Sequence, residues 1–90
     1  MKLIRVERSL QIFDKKSEEL VIEYPIYLDL DTIIKIVKPL KKDPLLYRPY
    51  ALSQIQIRKL LAKINLDLMI EMKTYHYFLD CSGIYDSESK

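Results

Sequence analysis

The stretch Ile4-Arg5-Val6-Glu7-Arg8-Ser9-Leu10-Gln11-Ile12 decides the fold because its side chains alternate in character. Apart from Arg8, the even positions are apolar and the odd positions are polar. Successive side chains of a strand point to opposite faces, so this period of two predicts a strand with one buried face.

A second alternation follows the polar segment from Asp14 to Glu19. There, Leu20, Ile22 and Tyr24 share one parity. Two alternating runs joined by a polar turn predict an antiparallel hairpin, with strands at about 3–13 and 19–27. The turn holds neither Asn-Gly nor Asp-Gly, so its type stays open.

Two helical patterns come next. Asp29 is placed to cap a first helix, and Pro39 limits it to about residues 30–38 because the residue before a proline disfavours helical geometry. Ser53 and Gln56 have the spacing of a capping box. After that box, four apolar residues have the i, i+3, i+4, i+7 spacing of a second helix: Ile57, Leu60, Leu61 and Ile64. Asn65 can end this helix.

The last third of the chain predicts one or two further strands. Residues 66–72 alternate loosely, which indicates a short extra strand or an extended connection. Residues 75–81 are rich in aromatic strand formers and should pair with the hairpin. The expected fold is α+β: a small antiparallel sheet in the order ββααβ or ββααββ, with both helices packed on one face. One domain would span 1–83, followed by a polar tail at 84–90.

The composition limits which partners and which cellular compartment we expect for the protein. Fifteen basic residues nearly balance thirteen acidic ones, so the net charge of +2 gives no strong overall field towards phosphate or membrane. Cys81 is the only cysteine, which rules out an intramolecular disulfide. The longest uncharged run, Pro49 to Ile57, is far below the ~18 residues of a membrane span. The early charges do not resemble a signal peptide. We expect a cytoplasmic protein.

The residues capable of chemistry do not form a catalytic or metal pattern. His76 and Asp80 lie about 13 Å apart along a strand, at ~3.3 Å per residue, so they cannot form a triad with Ser82. Cys81 lacks an activating neighbour. With Gly83 as the only glycine, a P-loop or Rossmann fingerprint is absent. The sequence predicts no enzyme, no cofactor and no metal.

Tyrosine is the informative excess, with seven in the chain. Tyr47 and Tyr50 flank Arg48 in a proline-containing loop, and Tyr and Arg are enriched in interface hot spots. These residues are therefore predicted to bind a protein partner. The alternative, left open by the sequence, is that the tyrosines cover the core with their hydroxyls reaching solvent.

Nucleic acid is a weaker candidate for the partner. Lys35, Lys38, Lys41 and Lys42 surround the end of the first helix, where the helix dipole already favours cations. A phosphate site would need Arg5, Arg8 and aromatic side chains on a common face.

Three segments carry a resemblance to a known family: FDKKSEELV at 13–21, KDPLLY at 42–47 and YHYFLD at 75–80. The chain resembles a family of small bacterial proteins of unknown function, in which an FDKKT-E-LV turn, a DDP-Y loop and a YDYFLE strand recur in that order. His76 stands where that family usually has an acidic residue. The resemblance implies a binding role, because such proteins are similar to small immunity proteins encoded beside toxins.

The expected function is therefore a protein-binding module, most concretely an immunity protein that neutralises a co-encoded toxin. A structural or regulatory domain that forms a homodimer through a strand edge is the alternative. A weak nucleic-acid-binding protein is a further alternative.

Overall fold

Six secondary-structure elements are present in the computed structural model, which describes residues 2–86 and the side chains of residues 5–83. In chain order they are β1 (Lys2–Asp14), β2 (Leu20–Ile26), α1 (Leu30–Val37), β3 (Tyr50–Ala51), α2 (Gln54–Lys63) and β4 (Tyr75–Asp86). The predicted α+β class is confirmed. No helix of the described chain has the length and apolar character needed to cross a bilayer.

The strands form an antiparallel sheet in the order β2-β1-β4-β3. The predicted hairpin is confirmed, with Leu10 opposite Tyr24, and the predicted pairing of the last strand with it is confirmed by Leu10 opposite Leu79. Between Ile12 and Phe13 the register against β2 shifts by a bulge. Strand β1 thus lies in the interior of the sheet, while β2 forms one edge.

The helices cover one face of the sheet and build the core against it. Leu10 and Ile12 from β1 are buried there beside Tyr77 and Leu79 from β4, whose side chains share the same face. The helices contribute most of the remaining buried apolar side chains: Ile33, Ile36, Val37, Ile57, Leu60 and Leu61. The parity of β1 in the sequence therefore identified the buried face correctly.

Helix ends follow the sequence signals, with one exception. The capping box of α2 is confirmed: the Gln56 N–H donates to the Ser53 hydroxyl at 3.2 Å, and the Ser53 N–H donates to the Gln56 side chain at 2.9 Å. Asn65 has the left-handed conformation expected of a helix stop. Asp29 does occupy the N-cap position of α1, but its carboxylate accepts from the Thr32 hydroxyl instead of a backbone N–H. Capping by the Asp29 side chain was wrong.

Three segments differ from the sequence expectation or refine it. Residues 66–72 are an extended connection without strand pairing, although their half-buried and exposed positions alternate as expected. The Glu71 N–H donates to the Tyr77 hydroxyl at 2.9 Å, which ties this connection to the core. The two-residue strand β3 was not predicted. Strand β4 continues to Asp86, past the proposed domain end at residue 83, and residues 87–90 of the proposed tail lie outside the described residues.

Candidate functional site

The loop between α1 and β3, residues 38–49, is built around the carboxylate of Asp43. That residue is buried, with 5% of its surface exposed. Its Oδ1 accepts the Tyr47 N–H at 2.9 Å, and its Oδ2 accepts the Arg48 N–H at 2.9 Å and the Tyr50 hydroxyl at 2.8 Å. Three donors thus converge on one side chain, and a buried carboxylate needs such partners to remain inside a protein. We call residues 38–49 the Asp43 loop.

The hydrogen bonds decide the charge state of Asp43. Burial alone would raise the pKa of its carboxyl, but the Arg48 and Tyr47 N–H groups, the Tyr50 hydroxyl and the Arg48 charge together lower that pKa below its ordinary value. Asp43 is consequently ionised at neutral pH. The Asp43 loop is folded around a negative charge that every one of its donors stabilises.

Tyr50 directly follows the Asp43 loop, and its side chain stabilises the loop. Its hydroxyl donates to Asp43 and accepts the Leu40 N–H at 3.1 Å, so it joins the two ends of the loop. Burial, together with the hydrogen bond to Asp43, raises the pKa of the Tyr50 hydroxyl. The Tyr50 hydroxyl therefore already makes two hydrogen bonds to residues of the loop.

Leu46 and Arg8 fix the Asp43 loop to the rest of the fold. The Leu46 side chain is fully buried in the core, and its backbone adopts φ 56°, in the left-handed region. From β1, the Arg8 Nη2 donates to the Leu45 carbonyl at 2.7 Å. Its Nε is buried and has no hydrogen-bond partner among the described residues. The Arg8 side chain projects from the helix side of the sheet. The loop is therefore anchored on that side, by Arg8 and by the buried Leu46.

The anchored loop presents Tyr47 and Arg48 outward. Half of the Tyr47 side chain is exposed, at 52%, and Arg48 is exposed beside it. Of the three residues predicted to bind a partner, the structure thus brings two to the surface and leaves Tyr50 half-buried. Among the prolines and leucines of the loop, Leu46 is buried, whereas the exposed ones are Leu40, Pro44, Leu45 and Pro49. Partner binding by Tyr47, Arg48 and Tyr50 stays a prediction.

The residues considered for chemistry remain dispersed. His76 and Asp80 lie on β4, four positions apart. Burial raises the pKa of the Cys81 thiol, against an opposing effect of the Arg8 charge. Within the described part of the chain, no group of three or more His, Cys, Asp and Glu residues is placed to hold a metal ion.

A nucleic-acid site also lacks its basic residues on a common face. Phe13 and Phe78 do meet, edge to face, with ring centroids 5.7 Å apart. However, Arg5 is paired with Glu7 at 3.1 Å, and Arg8 has the opposite parity on β1 and donates to the Asp43 loop. Among the described residues, Arg5, Arg8 and the two phenylalanines therefore do not share one face.

Sequence reasoning missed Asp43 and Arg8 as the organisers of the loop. For Asp43 a local signal existed, because Asp side chains commonly accept N–H groups of residues that follow them in turns. The role of Arg8 was visible only as a charge that interrupts the apolar parity of β1. Its partner, the Leu45 carbonyl, lies far along the chain, so the sequence could not assign it.

The fold and the loop together define a small α+β protein whose described residues form a four-stranded sheet, a helix-covered face and a hydrogen-bonded surface loop. The chain belongs to the family described as a domain of unknown function (DUF7683), which matches residues 7–80. The match covers the Asp43 loop and the aromatic first half of β4, up to residue 80. Comparison with curated proteins and with solved structures finds no significant match.

Proposed function

We propose that this protein is a non-catalytic protein-binding module of the bacterial cytoplasm, which neutralises a co-encoded toxin by covering part of the toxin surface. The observation that carries the proposal is the Asp43 loop, which holds Tyr47 and Arg48 outward on a fixed backbone. A loop that is ordered before binding loses little conformational entropy on association. Exposed Tyr and Arg side chains on such a loop have the chemistry of interface hot spots.

The experiment begins with the protein encoded beside this gene. Its expression alone should arrest growth, and co-expression of the present chain should restore growth. The Tyr47→Ala/Arg48→Ala double variant should weaken binding of that protein by about thirtyfold, as removal of a hot spot does, while its melting temperature stays within a few degrees. Calorimetric titration and thermal unfolding measure the two effects separately.

A matched control is available elsewhere on the surface. Tyr27 and Arg58 are both exposed and lie outside the Asp43 loop, so Tyr27→Ala/Arg58→Ala removes the same side-chain types. The control should bind as the wild type does. Loss of stability with unchanged affinity in the loop variant would assign Tyr47 to covering the core. A neighbouring protein that neither inhibits growth nor binds would contradict the immunity role.

A second candidate, a homodimer, is favoured by the edge strand β2. Its residues Leu20, Val21 and Ile22 are consecutive, apolar and exposed. An exposed apolar edge strand can pair with a second copy through its free backbone groups. Under this alternative, sedimentation equilibrium finds a dimer that Val21→Lys converts to a monomer. A monomer at all concentrations contradicts it.

A further inference from the structure

Within residues 5–83, whose side chains the structure describes, no helix covers the face of the sheet opposite α1 and α2. We call it the open face, and it is formed by the side chains that alternate with buried Leu10, Ile12 and Leu79 along β1 and β4. Glu23 of β2 joins them by pairing with Gln11. Its aromatic and charged members with described side chains include Arg5, Glu7, Phe13, Glu23, Phe78 and Asp80.

Negative charges outnumber positive charges among the described side chains of the open face. The described charged side chains of this face are three carboxylates, of Glu7, Glu23 and Asp80, and one guanidinium, of Arg5. The whole chain, by contrast, has a formal net charge of +2. Arg5 is already paired with Glu7 at 3.1 Å. Among the described side chains, neither Glu23 nor Asp80 has an ion-pair partner. The described side chains of the open face therefore carry a net negative charge, on a chain whose formal net charge is +2.

Glu23 is held in place as an anion. The Ser9 hydroxyl donates to its Oε2 at 2.7 Å, and the Gln11 amide donates to the same oxygen at 2.9 Å. These two hydrogen bonds lower the pKa of the Glu23 carboxyl. Its Oε1 accepts no hydrogen bond from the described residues. A fixed, ionised carboxylate with an available oxygen is suited to accept a cationic donor.

Aromatic side chains lie on the same face of the sheet. The Phe13 and Phe78 rings meet at 83° with centroids 5.7 Å apart, and the His76 ring lies 6.1 Å from Phe78. A guanidinium group stacks on aromatic faces while it binds carboxylates. Phosphate would instead meet the charges of Glu23 and Asp80, which repel it.

We propose that the open face binds a positively charged segment of a protein partner, through arginine or lysine side chains placed on Glu23 and Asp80 and against Phe13 and Phe78. Strands β2 and β4 flank β1, which separates the two carboxylates by roughly 12 Å at standard strand spacings. Arginines four residues apart in an extended peptide are separated by about 13 Å. The proposal rests on the proposed function only in taking the partner to be a protein.

The probe is the capped peptide RGFGR, titrated into the isotopically labelled protein while backbone amide shifts are followed by NMR. Saturable shifts are expected on β1 and β4 around Phe13, Phe78 and Asp80, and raising the salt from about 20 to about 200 mM should weaken them. The peptide QGFGQ, which has no charge, should leave these amides unshifted. Equal shifts with both peptides, or none that saturate, would overturn the proposal.

Paired variants separate a specific site from general charge attraction. Glu23→Gln/Asp80→Asn should weaken RGFGR binding by about fivefold. Asp31→Asn/Asp67→Asn removes the same charge from exposed positions on α1 and on the 66–72 connection, both on the helix side of the sheet, and should leave affinity unchanged. Equal weakening in both variants would refute the site. Because Tyr47→Ala/Arg48→Ala must still bind RGFGR, failure of the open face and failure of the proposed loop interface give different results.

Discussion

Truncation of Leu46 tests whether the Asp43 loop depends on its core anchor. The side chain is fully buried, with 0% exposed, so Leu46→Ala removes buried carbons worth roughly 0.8 kcal/mol each and leaves a cavity. Three carbons and a partly relaxed cavity give a loss of about 3 kcal/mol in the free energy of unfolding. A domain of this size has roughly 5–13 kcal/mol in total, so the variant should still fold.

A second substitution at the same position isolates the backbone. Leu46 has φ 56°, which costs a non-glycine residue about 1–2 kcal/mol, and glycine removes that cost. Against this, glycine adds roughly 0.5–1 kcal/mol of chain entropy to the unfolded state. Glycine also loses the buried Cβ, worth roughly 0.8 kcal/mol, so the terms nearly cancel and Leu46→Gly is expected to lie within about 1 kcal/mol of Leu46→Ala.

Urea unfolding followed by circular dichroism measures both variants against the wild type. A loss below about 1 kcal/mol for Leu46→Ala would show that the side chain does not anchor the loop. A Leu46→Gly variant more than about 1 kcal/mol less stable than Leu46→Ala would refute the left-handed backbone. With both results as expected, weaker partner binding by the folded Leu46→Ala protein would connect loop order to affinity.

Two further predictions concern the core and the buried carboxylate. Leu60→Ala and Leu61→Ala should each lower the free energy of unfolding by about 2–5 kcal/mol, since their side chains are 0% and 6% exposed. Urea titration would contradict the helix packing if both losses fell below about 0.5 kcal/mol. The lowered pKa of Asp43 implies stability that is complete above the ordinary value of 3.8 and is lost as pH falls through the lower folded-state value. Asp43→Asn should lower stability at neutral pH and flatten its decline in that acidic window, and an unchanged slope of stability against pH would count against the ionised carboxylate.

Local patterns in the sequence were sufficient for the long elements. The parity of Leu10 and Ile12 identified the buried face of β1, and Ser53 with Gln56 located the start of α2. In both cases the responsible interactions join residues that are close in the chain or depend on periodicity alone. Asp29 shows the limit of such patterns, because its carboxylate had another nearby donor in Thr32.

The candidate site depended on interactions between distant residues. Whether Tyr50 reaches a partner or holds the loop could not be decided without knowing that Asp43 accepts its hydroxyl. The contact of Ser9 and Gln11 with Glu23 requires the register of the hairpin, which an unassigned turn type leaves open. The sequence did not predict strand β3, because an element of two residues is too short to show an alternation of polar and apolar side chains.

The pairing of β1 with β4 has a consequence for how the protein is made. The two interior strands are far apart in the sequence, and Leu10 meets Leu79 only after all the residues between them have been synthesised. Until then, the nascent hairpin exposes the apolar side of Leu10 and Ile12 to other molecules on the ribosome and in its surroundings. Contacts so distant in sequence slow folding, and transiently uncovered strands favour aggregation. Newly made chains should therefore be most prone to aggregation before β4 closes the sheet.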